Sequence, residues 1–125
     1  MKRFTEEHQW VTYENGRATM GITAYAAEEL GEITFVELPD VGLVVSQGDA
    51  ICVVESVKAA SDVFAPVGGT ICAVNAKLED DTSLLNDTPE TLGWICRLEE
   101  VEESDFESLM TESQYETFIG DEASA

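Results

Sequence analysis

The chain has 125 residues, with 26 acidic and 6 basic side chains and a formal net charge of −20 at pH 7. So negative a surface repels phosphate backbones and anionic headgroups, which argues against nucleic-acid and membrane binding. The length fits one domain over residues 1–125, and 44% hydrophobic residues is too many for a disordered acidic chain. No apolar run is long enough to span a bilayer. Residues 1–7 read as neither a secretory signal nor a transit peptide, so the expected location is the cytoplasm, bacterial in the simplest case.

The first strong local signal is Asn15-Gly16 between apolar-rich runs at 10–13 and 18–22, a two-residue hairpin turn. Thr23 is placed to cap a short helix over 24–30, stopped by Gly31. A strand over 33–38 is closed by Pro39-Asp40, and a short one over 43–45 precedes the Gln47-Gly48-Asp49 turn. Strands are expected at 50–55 and 60–64. Pro66 and Gly68-Gly69 break the chain before another at 70–74, and a last strand runs over 93–98.

Beyond that the pattern changes. Residues 99–125 hold ten acids and no base, and Phe106, Leu109, Met110, Tyr115, Phe118 and Ile119 recur at helical spacing. Ser104 with Glu107 and Thr111 with Gln114 read as two capping boxes, and Gly120 as a helix stop. The expectation is a C-terminal helical layer over 98–120 and a flexible tail at 121–125. Helix is expected only as one insertion and one tail. The fold class is mainly β, a small barrel or sandwich with a short inserted helix and C-terminal helices.

Catalytic signatures are missing. There is one histidine, His8, no phosphate-binding glycine loop and no nucleophile elbow. Asp80-Asp81 lacks calcium-loop spacing. Cys52, Cys72 and Cys96 are far apart, each in an apolar run, and read as buried reduced thiols without a metal or a redox role. A self-contained enzyme is not expected.

One segment stands apart. Two β-like runs meet at Ser56-Val57-Lys58-Ala59, which puts Lys58 at a hairpin tip. It is the only base between Arg17 and Lys77, with Glu55 before it and Asp62 after it, while Ala59 and Ala60 leave its approach open. An exposed lysine ordinarily serves solubility. This one is set out so that a modifying enzyme can reach one amine and ignore the others. A lysine amine on a long stem forms a stable amide with a carboxylic-acid cofactor, and such a carrier needs no catalytic residues of its own.

At these residues the sequence resembles the glycine cleavage system H proteins, which are lipoyl carriers. The resemblance rests on Glu55-Ser56-Val57-Lys58-Ala59-Ala60-Ser61-Asp62 and Ala65-Pro66-Val67-Gly68-Gly69. It extends to His8-Gln9-Trp10, Gly21-Ile22-Thr23, Leu30-Gly31-Glu32, Phe35-Val36-Glu37-Leu38-Pro39, Val74-Asn75, Gly93-Trp94 and Glu107-Ser108-Leu109-Met110 with Tyr115. It implies a barrel-sandwich hybrid of the lipoyl-domain kind and lipoic acid in amide linkage to Lys58, with Glu55, Ser56, Val57 and Ala59 as the modification motif.

The implied partners are a pyridoxal-phosphate glycine decarboxylase (P protein), a tetrahydrofolate-dependent aminomethyltransferase (T protein), a flavin dihydrolipoamide dehydrogenase (L protein) and a lipoate ligase or lipoyl/octanoyl transferase. The chain would shuttle an aminomethyl group as a monomer and catalyse nothing itself. The family's pattern usually has Glu before the tryptophan matching Trp10, whereas this chain has Gln9. In the resemblance that acid and the one matching Asp62 hold the loaded arm in a cleft. Asp62, Gln9, Glu7 and Trp10 are therefore the arm-docking candidates. Glu7 would share a side with Gln9 if both lay in one strand.

A different role is that of a lipoyl or octanoyl donor to other enzymes. Biotin carriers place Met on both sides of their lysine, where this chain has Val57 and Ala59. Lipoyl domains of 2-oxoacid dehydrogenases usually have Asp before the lysine and linkers to a catalytic domain. An unmodified acidic interaction domain would leave the ordered blocks around Lys58 unexplained.

Overall fold

A computed structural model describes the backbone of residues 2–124 and the side chains of residues 2–120. Among the described residues nine strands form two sheets. The larger contains β1 (Lys2–Phe4), β2 (Gln9–Glu14), β3 (Arg17–Ile22), β5 (Val44–Val45), β8 (Gly69–Val74) and β9 (Cys96–Glu99), in the order β1-β2-β3-β9-β8-β5. The smaller contains β4 (Ile33–Glu37), β6 (Ala50–Ser56) and β7 (Ala60–Phe64), in that order. All neighbouring strands are antiparallel. The inner faces meet over fully buried Val11, Met20, Val54, Val67, Ile71, Ile95 and Leu98.

The turn chemistry acts as the sequence dictates. Asn15 (φ 50°) and Gly16 (φ 79°) both have positive φ, which the tight β2–β3 hairpin needs to match strand twist. Trp10 pairs with Gly21, where a Cβ would lie 2.9 Å from the indole Nε1, so only glycine lets the ring lie across β3. Helix α1 (Ala24–Leu30) is capped by Thr23, whose Oγ1 accepts the Ala26 N–H at 3.2 Å, and it ends at Gly31.

Several sequence expectations need correction. Two short helices, α2 (Lys77–Asp80) and α3 (Ser83–Asp87), occupy a stretch where no helix was expected. Each buries one leucine, Leu78 or Leu85, and four or five residues show too little periodicity to read. The three-residue β1 was not expected, because two of its residues are basic. The last strand begins at Cys96 rather than at residue 93, since Gly93 packs against the Leu84 and Thr88 carbonyls.

In the tail, α4 (Glu103–Glu107) starts after Glu102, so Ser104 lies inside the helix and makes no capping box. The second box forms: the Thr111 N–H donates to Gln114 Oε1 at 2.9 Å, and the Gln114 N–H to Thr111 Oγ1 at 3.3 Å. Helix α5 (Glu112–Ser124) then runs through Gly120 instead of stopping there. Among the described residues no helix is long and apolar enough to cross a membrane.

Tyr115 ties this layer to the body. Its ring stacks on Phe4 at 4.7 Å between centroids, and its hydroxyl meets Thr23 Oγ1 at 2.7 Å and His8 Nδ1 at 2.8 Å.

Candidate functional site

The β6–β7 hairpin carries residues 57–59 at its tip, and Ser56 organises that tip. Its Oγ accepts from the Lys58 N–H (3.2 Å) and the Ala59 N–H (3.3 Å) and donates to the Ala59 carbonyl (3.2 Å). The Ser56 N–H also donates to that carbonyl at 2.8 Å. The turn is thus closed without using any side chain of residues 57–59. Lys58 and Val57 are exposed, and the one ion pair among the described residues is far off in sequence, Lys2 with Glu90.

The tip is also moored sideways. The Val57 N–H donates to the Glu32 carbonyl at 3.0 Å, in the link from α1 to β4. Beside it a Cβ on Gly31 would lie 3.3 Å from Lys58 Cε, so the lysine methylenes lie across that glycine. Glu55 pairs with both Phe35 and Ala60, and Asp62 with Val53, which sets the carboxylates on exposed positions of the small sheet.

Next to the hairpin is an open cleft of about 280 Å³ between β7, α1 and the turn before β2. Its apolar lining includes Ile22, Leu30, Val54 and Val63, and three carboxylates line it: Glu7, Glu29 and Asp62. No Lys or Arg does. Glu29 escaped the sequence reading, although Tyr25, Ala26, Glu29 and Leu30 share one face of α1 by helical spacing.

The other arm-docking candidates separate. Gln9 lines the cleft but is 2% exposed, and both ends of its amide are engaged. Oε1 accepts from Thr5 Oγ1 at 2.7 Å, and Nε2 donates to the Glu7 carbonyl at 3.1 Å. A glutamate there would turn a carboxylate oxygen toward that carbonyl, so the amide suits this turn. Glu7 is not in a strand with Gln9, because β2 begins at Gln9 and His8 has φ 66°. Glu7 reaches the cleft from the turn instead. Trp10 does not line it. Its ring is buried, and its indole N–H donates to the Pro89 carbonyl at 2.9 Å.

The cysteines take no part in this site. Burial pushes the Cys52 thiol up to about 12, with nearby Glu37 adding to it. Burial likewise pushes Cys96 up to about 12. Cys72 is half-buried, correcting the expectation that all three are enclosed.

Two antiparallel sheets closed over one core, with an exposed lysine on a hairpin tip, define a protein of the lipoyl-domain class, the barrel-sandwich. The sequence profile of the glycine cleavage H-protein matches residues 2–122, and the chain belongs to that family. It is 50% identical over 116 residues to the glycine cleavage system H protein of Listeria monocytogenes serotype 4a, covering 93% of each chain. It is 48% identical over 118 residues to that of Caulobacter vibrioides, covering 94% of this chain and 98% of the relative. The crystal structure of a glycine cleavage system H protein from Mycobacterium marinum superposes with a TM-score of 0.85 at 35% identity, covering 95% and 96% of the two chains. The family is the carrier component of the glycine cleavage system.

Proposed function

We propose that Lys58 carries lipoic acid in amide linkage and that the chain shuttles an aminomethyl group between the enzymes of glycine cleavage. The observation that carries this is the tip itself. Ser56 closes the turn through main-chain atoms, the Val57 N–H moors it at the Glu32 carbonyl, and Lys58 stays exposed on it. The residues fit the cofactor: an exposed primary amine for the amide, and beside it a cleft with an apolar lining and acidic groups. In the attachment the deprotonated Lys58 Nζ displaces the leaving group of an activated lipoyl carbonyl. A C–N bond forms, the bond to the leaving group breaks, and one proton is released.

Once bound, the cofactor supplies a disulfide that accepts the one-carbon unit and a dithiol that can be reoxidised. The protein's own residues present and shelter it. Ser56 fixes the turn, and Gly31 supports the lysine stem. The carboxylates of Glu7, Glu29 and Asp62 attract the cationic end of an aminomethyl-loaded arm. Gln9 holds the turn that carries Glu7.

The partners on this reading are the P protein, which loads the group and releases carbon dioxide, and the T protein, which passes it to tetrahydrofolate and releases ammonia. The L protein regenerates the disulfide, and a lipoate ligase or lipoyl/octanoyl transferase installs the cofactor. Glycine–bicarbonate carbon exchange by purified P protein tests the role. The lipoylated chain should support exchange at a rate that rises with its concentration. Exchange no faster than with the unmodified chain would remove the glycine cleavage role and leave donation of the lipoyl group to other enzymes.

A further inference from the structure

The three residues beneath the Lys58 tip are held from below. Asn86, on α3, donates from Nδ2 to the Gly31 carbonyl at 2.7 Å, and its Oδ1 accepts the Ile33 N–H at 3.0 Å. One turn earlier Thr82 Oγ1 donates to the Ile33 carbonyl at 2.8 Å. Both neighbours of Glu32 are thus fixed by the short helix α3 and the residue that precedes it. Leu85, fully buried, holds α3 to the core. Glu32 between them presents its carbonyl to the Val57 N–H at 3.0 Å, and Gly31 presents its bare Cα face to the Lys58 stem. Two short routes therefore join α3 to the lysine: one hydrogen bond and one van der Waals contact through Gly31, and two hydrogen bonds through the 31–33 link to Val57.

We propose that Asn86 is a positioning residue for Lys58: by clamping Gly31 and Ile33 it fixes the Glu32 carbonyl that moors the hairpin tip, and so presents the lysine amine to the enzyme that acylates it. The inference rests on the reading that Lys58 is the acylated residue. Asn86 touches neither the amine nor the acyl donor. Its amide is matched to the task because one side chain supplies both a donor and an acceptor to main-chain groups two residues apart. Without it the Gly31 carbonyl and Ile33 N–H lose their partners, the 31–33 link loosens, and the tip occupies its presenting arrangement for a smaller fraction of time. An enzyme that binds only that arrangement then has an apparent affinity lowered by the same fraction, which raises KM and leaves kcat in place.

The test uses the full chain as substrate of a lipoate ligase with ATP and lipoate, at a temperature where every variant is folded. Asn75→Ala is the matched control, since Asn75 also bridges main-chain groups, the Leu92 and Trp94 carbonyls, away from the 31–33 link. Asn86→Ala should raise KM for the chain about tenfold with kcat within about twofold, the effect of a tenfold loss of the presenting population. Amide exchange at Val57 should quicken to near the unprotected rate, because about nine-tenths of the chains then lack the Glu32 mooring. Asn75→Ala should lower thermal stability and change neither KM nor Val57 exchange.

Asn86→Asp covers the case in which the alanine variant does not fold. It keeps the acceptor for Ile33 but turns a carboxylate oxygen toward the Gly31 carbonyl in place of the donor, and should also raise KM with kcat in place. Unchanged KM in a folded Asn86 variant would overturn the proposal, and so would an equal rise in Asn75→Ala. A native chain that takes up no lipoyl mass would instead overturn the Lys58 reading, an outcome distinct from equal acylation of native and variant chains.

Discussion

Gly31 is where backbone geometry and the lysine site meet, and Gly31→Ala gives a defined perturbation. The residue has φ 77° and ψ −152°, a region open in practice to glycine alone. Holding alanine there costs about 1–3 kcal/mol. The new Cβ would also come within 3.3 Å of Lys58 Cε, the mobile end of a side chain, which moves aside at little cost. The backbone term therefore dominates. Unfolding entropy of about 2.1 cal/mol/K per residue gives about 0.26 kcal/mol/K for this length, so Tm should fall by about 4–11 °C. Gly120→Ala is the internal contrast: it lies in α5 with nothing within 4 Å of its Cβ, and alanine is the better helix former there. It should leave Tm unchanged or raise it by a few degrees. Scanning calorimetry reads both. A Gly31→Ala Tm within about 1 °C of the native value would refute the argument that glycine is required by conformation.

Other outcomes follow from the same structure. Thr23→Val removes the α1 cap and leaves the Tyr115 hydroxyl one partner short; denaturant unfolding should show a loss of about 1–3 kcal/mol. The Cys52 and Cys96 thiols have folded values raised from 9.0 to about 12, so the fold favours the protonated form. Their contribution is complete below pH 9 and is lost as pH rises from 9 toward 12, at up to about 1.4 kcal/mol per pH unit for each thiol. The stability of Cys52→Ala should accordingly fall less steeply than that of the native chain above pH 9, and parallel slopes would contradict this. With −20 net charge, docking to the P or T protein should weaken as salt is added; salt-independent Kd in titration calorimetry would count against charge steering.

Most of the strand framework was legible because its punctuation is local. Asn15-Gly16 must turn, Thr23 and Gly31 bound a helix by capping chemistry, and Ser56 to Ala59 separate two alternating runs. The same locality explains what was lost. Helices α2 and α3 hold four and five residues, and what keeps them is tertiary: Leu78 and Leu85 in the core, and hydrogen bonds from Thr82 and Asn86 to the 31–33 link.

The site was legible in part. Lys58 was readable from its isolation on a hairpin, and Asp62 from the motif around it. Glu29 was not, because nothing in the sequence says that α1 and β7 line one cleft. Gln9 was readable as a departure from the family's pattern. That its amide is consumed by Thr5 and Glu7 depends on a turn made by His8 in a positive-φ conformation, which residue identities do not announce.

The central claim is that Lys58 is the attachment point, and intact mass after co-expression with a lipoylating enzyme and lipoate tests it most directly. The native chain should gain one lipoyl group, and Lys58→Arg, which keeps the charge and offers no acylable amine, should gain none. A lipoyl shift that survives in Lys58→Arg, or its absence from the native chain when the ligase is active on another substrate, would contradict the account.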